Sequence, residues 1–586
     1  MVATVEVEEP PLETNNNNNN GDVDVEEQPS AAVQEDKLNN INSSGRNKKI
    51  IALIVLLLVC GAIIGLVLGL VVKEENKNNS STASRQDGSS PSVSPTTSPP
   101  SEQPSSANYQ NIRQVVNGLS DEELYDDPAS PQYQALNWLE ETMSMTLDVD
   151  EESDDYELIQ SYVMATFYAS LGQDLSQYPT RVCDWEGITC TTGTTDEEED
   201  VIKNSTGRLV VHAIALPPKH SNSTTEEDDS FSVPFSGTIP MELGVLTTLE
   251  TLNVTSRILI GSIPTQVGTL RDLTMINLSS NRLAGALPSE LGNLDGLRYL
   301  SLGDNLLDGT VPSELGLLSN LTSLLLYANF LDGTIPSSIG QLTSLTSLAL
   351  RINLLSESIP SELGLLGNLT SLFLGRNRLD GTIPSSIGQL TSLTWLDLSF
   401  NVLSESIPSE LGLLSNLTAL LVDHNRLDGT IPSSIGQLAS LTWLDLGFNF
   451  LSGTIPSELN RLENLEYLDL ISAGLEGPIP SEFGEMTSLI SLGLGSNFLS
   501  GTIPPELGNL FNLTGLNLSD NRLTGTIPDE LTSLTSLDVL LLVENLLTGS
   551  FPSDFCNATI FDWVRLDVQR RTPSNVLVPP CECCTN

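Results

Sequence analysis

Histidines, cysteines and clustered carboxylates are the side chains from which metal sites and acid–base catalysts are built, and this 586-residue chain groups few of them. Its three histidines are His212, His220 and His424, and no zinc or catalytic constellation accompanies them. The acidic run DVDEESDDYELI resembles a calcium loop, but Ser153 and Ile159 stand where that loop needs glycine and glutamate. We therefore interpret the run as a solvated acidic linker and predict no metal, no cofactor and no enzyme activity.

A repeated pair of tryptophan and aspartate is a stronger candidate for a binding site. Trp395 and Asp397 lie in SLTWLDLSFN, and Trp443 and Asp445 lie in the nearly identical SLTWLDLGFN. Exposed aromatic rings are enriched on recognition surfaces, and two indoles beside carboxylates would suit a sugar ring or a peptide side chain. The net charge of −50 argues against a nucleic-acid partner, because phosphate backbones need lysine and arginine for neutralisation.

A strict repeat positions these pairs. From Pro240 a proline recurs every 24 residues, and an asparagine keeps a register of its own, replaced by Arg257 and Ala473 in two coils. The unit L-x-x-L-x-L-x-x-N-x-L-x-G-x-I-P-x-x-L-G-x-L is typical of a leucine-rich-repeat solenoid. Its L-x-L segment predicts a short strand, and the asparagine amide is expected to satisfy backbone groups of the next coil. The Gly-x-Ile-Pro segment turns the chain onto a convex side without a long helix.

The outward-facing columns of the middle coils define a predicted patch on the concave sheet. Because parallel strands lie about 4.8 Å apart, we expect the two indoles roughly 10 Å apart, with Ala419 between them. The predicted ligand-binding residues are Phe373, Arg376, Trp395, Asp397, Phe400, His424, Trp443, Asp445, Phe448, Tyr467 and Asp469, with Arg351 at their border. Duplication of a 48-residue unit explains the repeated pair equally well, since the earlier copy SLTSLALRIN carries Ser347 and Ala349 instead.

Two sequence signatures resemble a known family. The L-x-G-x-I-P unit and the segment CDWEGITC are similar to the repeats and cap of plant-type leucine-rich-repeat ectodomains, as in receptor-like kinases, receptor-like proteins and polygalacturonase inhibitors. A hydrophobic segment ahead of the repeats, with SPQYQALNWL and VMATFYASLG before the cap, resembles more closely the leucine-rich-repeat proteins of diatoms and related algae. The resemblance implies recognition of a protein or glycan on the concave sheet. The chain departs from receptor kinases in its order and in lacking HRD and DFG motifs.

Caps are expected at both ends of the solenoid, because each coil buries its leucines only against its neighbours. Ser130 and Pro131 predict the start of the helix QYQALNWLEETM, and a second helix, DYELIQSYVMATFYASLG, is predicted to end at Gly172. Cys183 and Cys190 are predicted to form a disulfide outside the cytosol. The remaining external cysteines are Cys556, Cys581, Cys583 and Cys584, whose pairing the sequence leaves open and for which a metal site is the competing interpretation.

An apolar segment predicts a membrane anchor. Residues 50–72 carry no charge and are long enough to cross a hydrocarbon core of about 30 Å. Basic residues precede the segment and glutamates follow it, so the positive-inside rule places the repeats outside, at the plasma membrane or in the endomembrane lumen. A stripe of small residues would admit a homodimer or co-receptor helix, although glycine is common in membrane helices. The stripe consists of Gly61, Gly65 and Gly69.

Sequons and composition complete the predicted organisation. The expected segments are a disordered acidic cytosolic tail at 1–49, a signal-anchor helix at 50–72, a Ser/Thr/Pro-rich stalk at 73–108, a helical cap at 109–207, the solenoid at 208–555 and a cysteine cap at 556–586. Predicted N-glycosylation sites are Asn204, Asn222, Asn253, Asn277, Asn320, Asn368, Asn416, Asn512, Asn517 and Asn557. Three of them, Asn253, Asn277 and Asn517, are expected to point from the concave sheet and to leave its middle open.

The predicted fold class is α/β: a parallel β-solenoid in a right-handed superhelix, with a convex side of short 3₁₀ or irregular segments, a helical disulfide-bearing cap and a single transmembrane helix. The leading functional hypothesis is a single-pass receptor-like protein that binds a protein, peptide or glycan on its concave face. Any signal would pass through a partner, because the tail contains no kinase motif. The alternatives are a surface adhesion or wall protein and an inhibitor of wall-degrading enzymes.

Overall fold

The computed structural model describes residues 107–120, 122–143, 155–192 with short gaps, 209–216, 236–256, 258–549 and 551–552. Within these residues the L-x-L segments form a sheet of fifteen strands, parallel from coil to coil and antiparallel in its first pair. The strands are Ile188–Thr192, Leu209–Leu216, Thr251–Val254, Met275–Asn277, Tyr299–Ser301, Ser323–Leu325, Ser347–Ala349, Ser371–Phe373, Trp395–Asp397, Ala419–Leu421, Trp443–Asp445, Tyr467–Asp469, Ser491–Gly493, Gly515–Asn517 and Val539–Leu541. The predicted leucine-rich-repeat solenoid is confirmed, and we call this sheet the main sheet.

The convex side consists of short 3₁₀ helices, as the Gly-x-Ile-Pro pattern predicts. Each follows the repeat's proline, whose ring fixes the backbone, as at Pro408 with φ −63°. The coils touch here through their backbones: a Cβ on Gly412 would lie 2.4 Å from the carbonyl oxygen of Ser434. The helices are Met241–Val245, Thr265–Thr269, Ser289–Asn293, Ser313–Leu317, Ser337–Gln341, Ser361–Leu365, Ser385–Gln389, Ser409–Leu413, Ser433–Gln437, Ser457–Arg461, Ser481–Glu485, Pro505–Asn509 and Asp529–Ser533.

Short secondary sheets follow the asparagine in many coils. They lie between the main sheet and the convex side in chain order, and their pairs are parallel as well. Their strands are Ser236–Gly237, Ile258–Gly261, Arg282–Ala286, Leu306–Asp308, Ser356–Ser358, Arg378–Asp380, Ser404–Ser406, Arg426–Asp428, Glu476–Pro478, Phe498–Thr502 and Arg522–Thr524.

The repeated asparagines form a buried polar ladder. The side chain of Asn425 is typical: its Oδ1 accepts a hydrogen bond from the Leu403 N–H at 3.0 Å. Its Nδ2 donates to the carbonyl oxygens of Leu398 at 3.0 Å and Val422 at 3.1 Å. We expected these amides to form hydrogen bonds with the backbone of the next coil. This was wrong, because Leu398 and Leu403 belong to the preceding coil. The amide lies under the turn that leaves the strand, where backbone groups would otherwise be buried without partners.

Three helices cap the first coil: α1 (Ala107–Val116), α2 (Pro131–Met143) and α3 (Asp155–Ser170). The predicted start of α2 is confirmed, since the Ser130 hydroxyl accepts a hydrogen bond from the Tyr133 N–H at 3.0 Å. Helix α1 was not predicted and begins two residues inside the segment assigned to the stalk. Helix α3 is buried on nearly every side, because it packs against both α2 and the first coil. Two further 3₁₀ turns, Glu122–Tyr125 and Val182–Asp184, complete the cap.

The predicted disulfide between Cys183 and Cys190 is present. The tryptophan between these cysteines, Trp185, is the centre of an aromatic cluster, with ring centroids 5.3 Å from Trp138 and 4.7 Å from Tyr168. Its indole N–H donates to the Pro179 carbonyl oxygen at 2.9 Å. The CDWEGITC segment therefore supplies both the disulfide and the central tryptophan of the cap's aromatic core.

Several predictions concern residues outside the described ranges. These are the tail at 1–49, the anchor at 50–72 with Gly61, Gly65 and Gly69, the stalk before residue 107 and the helix end at Gly172. The cysteines Cys556, Cys581, Cys583 and Cys584 and the sequons Asn204, Asn222 and Asn557 also lie outside. Of the helices that the described ranges contain, none has the length and apolar character needed to cross a membrane.

Candidate functional site

Five neighbouring coils present the predicted patch on one face of the main sheet. Their strands pair in the expected register, with Ser371 opposite Trp395, followed in turn by Ala419, Trp443 and Tyr467. Side chains alternate across a strand, so the first and third residues of each strand lie on the concave face. The leucines between them are buried in the solenoid core. The register predicted for the patch is therefore correct.

Four aromatic side chains form a row across these strands, which we call the aromatic row: Phe373, Trp395, Trp443 and Tyr467. Successive ring centroids are 6.1, 6.5 and 5.4 Å apart, within the range of direct aromatic contact. We expected the two indoles about 10 Å apart, which was wrong. They lean towards each other over Ala419, which is 1% exposed. The face therefore offers a continuous aromatic surface instead of a slot for a sugar ring.

A second column, the stacked column, consists of Arg376, Phe400, His424 and Phe448. Their backbones all have positive φ, between 51° and 57°, at the turn that precedes the buried asparagine. The His424 ring lies 4.0 Å from that of Phe400 and 4.2 Å from that of Phe448, nearly parallel to both. The Arg376 guanidinium lies 4.4 Å from the Phe400 ring. Such left-handed backbone costs about 1–2 kcal/mol for a bulky residue, and these stacking contacts help to offset it.

Carboxylates form a third group on this face, the carboxylate row: Asp397, Asp423, Asp445 and Asp469. In Asp397, Asp445 and Asp469, Oδ1 accepts a hydrogen bond from the backbone N–H two residues later, at 3.0, 3.1 and 2.8 Å. These bonds hold the carboxyl groups at the strand ends. The three were predicted as exposed neighbours of the indoles, and the structure places them half-buried on the same face.

Asp423 belongs to this row although the sequence patterns did not identify it. Its side chain is buried, and its Oδ2 lies 2.8 Å from Nδ1 of His424. Gly375 and Gly447 hold the same position in nearby coils, and a Cβ on Gly375 would lie 2.5 Å from Oδ1 of Asp397. No repeat column singles it out, because Arg351, Ser399 and Ile471 hold the same position in other coils.

Crowding of these carboxyl groups changes their protonation. Burial, together with the facing charges of Asp423 and Asp469, raises the pKa of Asp445 to about 8. Burial also raises the pKa of Asp423, although its hydrogen bond to His424 opposes the change, and burial raises the pKa of Asp469. At neutral pH Asp445 therefore holds a proton for most of the time.

The cationic groups of the face lie at its N-terminal end. The Arg351 guanidinium lies 5.3 Å from the Phe373 ring and 5.8 Å from the Tyr327 ring. Arg376 is the next cation along the chain, stacked on Phe400. Arg351 was predicted only as a border residue, and Tyr327 was not predicted. The face is consequently polarised, with guanidinium groups on its first coils and carboxyl groups on the coils that follow.

The predicted glycosylation sites avoid the centre of this face. Exposed sequon asparagines recur at one position of the repeat, where each Nδ2 donates to a carbonyl oxygen of the preceding coil at 2.8–2.9 Å. They are Asn320, Asn368, Asn416 and Asn512. Three others, Asn253, Asn277 and Asn517, are half-buried on the main sheet towards its ends, as expected. Glycosylation itself stays a prediction at all of these positions.

Three groups of side chains on this face could contact a ligand. Across the described ranges, no group of three or more His, Cys, Asp and Glu residues is placed to hold a metal ion. The aromatic row offers apolar contact, the stacked column offers planar rings, and the carboxylate row offers charge pairing to a cation.

Comparisons with known proteins agree with the repeat. A family profile described as "Leucine rich repeat" matches residues 367–427 and 415–472. A second profile, described as "Leucine Rich Repeat", matches residues 272–294, 488–510 and 512–534. No functionally curated protein matches the chain.

Solved structures similar to the chain include two plant receptors. One is the crystal structure of a TDR receptor, with 36% identity, 56% of each chain covered and a TM-score of 0.54. The other is the ectodomain of the Arabidopsis receptor kinase HAESA, solved in complex with an N-terminally extended IDA peptide hormone. It has 31% identity and a TM-score of 0.54, with 75% of this chain and 65% of that chain covered. The chain thus spans less than two thirds of either receptor chain.

Proposed function

Since the chain is a leucine-rich-repeat protein of the plant-receptor ectodomain type, we propose that it is a receptor-like protein whose concave face binds a peptide segment. The observation that carries the proposal is the aromatic row, four half-buried rings in contact across five coils. Rings of this kind are already ordered by their neighbours, so binding against them costs little side-chain entropy. The row adjoins charged groups and lies away from the predicted glycans.

The dimensions of the face favour an extended peptide. Five parallel strands span about 19 Å, which is the length of about six residues of extended chain. Contact between the indoles closes the slot that a single sugar ring would need. The similar HAESA ectodomain was solved with a peptide hormone bound. A protein loop or a glycan is the alternative occupant of the same face.

The proposal includes the arrangement of the whole chain. Residues 50–72 would anchor the protein in the plasma membrane or an endomembrane, with residues 1–49 in the cytosol and the repeats on the opposite side. The tail has no kinase motif, so a signal would require a partner protein. We further propose that the protein has no enzyme activity of its own.

Selection from a displayed library of random dodecapeptides, with the full-length protein as bait, tests the proposal. We expect selected peptides to bind the unchanged protein and to lose at least about tenfold in affinity for the Trp395→Ala/Trp443→Ala variant, because the apolar contact is removed. Phe450→Ala is the matched control, since this side chain is 70% exposed and lies outside the row. An empty selection, or equal affinity for both variants, would refute the proposal.

A further inference from the structure

The uneven charge of the concave face indicates which peptide it fits. Arg351 and Arg376 are already stacked against aromatic rings at the N-terminal end. The carboxylate row occupies the next coils, where the hydrogen bond from His424 reaches one member, Asp423. The coils from Asp397 to Asp469 therefore present a row of carboxyl groups beside the indoles.

We propose that the bound peptide places a positively charged side chain, arginine or lysine, against Asp423, Asp445 and Asp469, with its aliphatic stem across Trp443. This inference rests on the proposed function and names the chemistry of its ligand. Charge complementarity supports this placement, because a cation would pair with the ionised carboxyl groups and favour ionisation of Asp445, whereas an acidic segment would be repelled.

The geometry of one strand supports this placement. Trp443 and Asp445 are the first and third residues of the same strand and lie on the same face. Such residues are about 7 Å apart along a strand, a distance that the stem of an arginine or lysine spans. An indole face attracts a cation, and paired carboxylates suit the planar guanidinium. The aliphatic stem of one basic side chain would thus contact the Trp443 indole, and its charged end would contact the carboxyl groups.

Cation binding on this face is linked to a proton. The titratable groups around Asp445 are Asp423 with its partner His424 on the preceding coil, and Asp469 and Tyr467 on the following coil. In the free protein the pKa of Asp445 is about 8, so a cation that needs its ionised form displaces a proton at neutral pH. Affinity should therefore rise with pH, by up to about 30-fold between pH 6.5 and 9, and level off above pH 9.

The random-dodecapeptide selection on the full-length protein, run at pH 9 and at pH 6.5, tests the inference. We expect peptides selected at pH 9 to be enriched in arginine or lysine beside apolar residues, and to bind more weakly at pH 6.5. The variant Asp445→Asn should bind them about tenfold more weakly at pH 9. It should also flatten the pH profile, while its amide oxygen still accepts the hydrogen bond from the Gly447 N–H.

Because the chain carries a net charge of −50, a control for non-specific attraction is needed. Asp428→Asn removes the same charge from an exposed position outside the face and should leave affinity within about twofold. Equal losses in both variants would overturn the inference. So would selected peptides that need Trp443 but lack basic residues or a pH dependence, while leaving the proposed function standing. An empty selection overturns both.

Discussion

Replacing Asn425 by alanine measures how strongly one rung of the asparagine ladder holds two coils together. The change removes the acceptor of the Leu403 N–H and three donations from Nδ2, to the carbonyl oxygens of Leu398, Val422 and Asp423. All three carbonyl oxygens keep another donor. Leu398 and Val422 keep the amides of Asn401 and Asn449, each at 3.1 Å, and Asp423 keeps the Phe400 N–H at 3.0 Å. The backbone group left without this partner is therefore the buried Leu403 N–H.

The loss of stability in Asn425→Ala can be worked out from these hydrogen bonds. An unpaired buried N–H costs about 1–3 kcal/mol, and the loss of one donor at each of three carbonyl oxygens adds about 1 kcal/mol. We expect the free energy of unfolding to fall by about 2–4 kcal/mol. The assay is guanidinium unfolding of the full-length protein followed by far-ultraviolet circular dichroism, read as a shift in midpoint at unchanged slope. Asn464→Ala is the matched control, since its exposed amide also donates to a preceding coil, at 2.9 Å from the Ala439 carbonyl oxygen.

A companion substitution separates the acceptor from the donor. Asn425→Asp keeps the oxygen that faces Leu403 but directs a carboxylate at the carbonyl oxygens of Leu398 and Val422. Those oxygens raise its pKa above that of an unfolded aspartate, so the destabilisation should be small below about pH 4 and grow as pH rises. The reasoning fails if Asn425→Ala loses no more stability than Asn464→Ala.

Two further predictions concern a buried carboxyl group, that of Asp445, and a tightly packed glycine, Gly412. The pKa of Asp445 is about 8 when folded and about 3.9 when unfolded, so its ionisation opposes folding as pH rises from 4 to 8. Asp445→Asn should remove part of that decline and add about 1–3 kcal/mol at pH 8, whereas a pH-independent effect in the same unfolding assay would contradict the cause. Gly412→Ala should cost about 1–3 kcal/mol, because its Cβ would meet the Ser434 carbonyl oxygen. Gly367→Ala, which has open space around it, should be nearly neutral, and equal midpoints for the two glycine variants would count against this explanation.

The regular part of the fold was predictable because one 24-residue sequence unit determines the strand, the turn and the 3₁₀ helix of each coil. Leucine spacing set the inward side chains, proline set the start of each 3₁₀ helix, and the tryptophan-bearing cysteine segment indicated the cap. Helix α1 was missed because its sequence, ANYQNIRQVV, continues the polar composition of the preceding stalk. The sequence did not show that each asparagine amide bonds to the preceding coil. The coils before and after it carry the same repeat unit, so the pattern alone does not distinguish them.

The candidate site was predictable in its register but not in its side-chain positions. Strand spacing located Trp395 and Trp443 two coils apart, yet the distance between their rings depends on how both lean over Ala419. The contact between the two indoles depends on side-chain packing, which the repeat pattern does not determine. Asp423 shows the same limit, because its importance arises from burial beside Asp445 and from its bond to His424.

Photo-cross-linking of a selected peptide to the full-length protein, with the sites read by mass spectrometry, most directly tests the claim that the concave face binds ligand. A photoreactive phenylalanine analogue within the peptide should attach to the main-sheet strands between Ser371 and Asp469, and Phe450→Ala should not change the pattern. Attachment there should be lost in Trp395→Ala/Trp443→Ala. Attachment instead to the 3₁₀ helices of the convex side would contradict the claim.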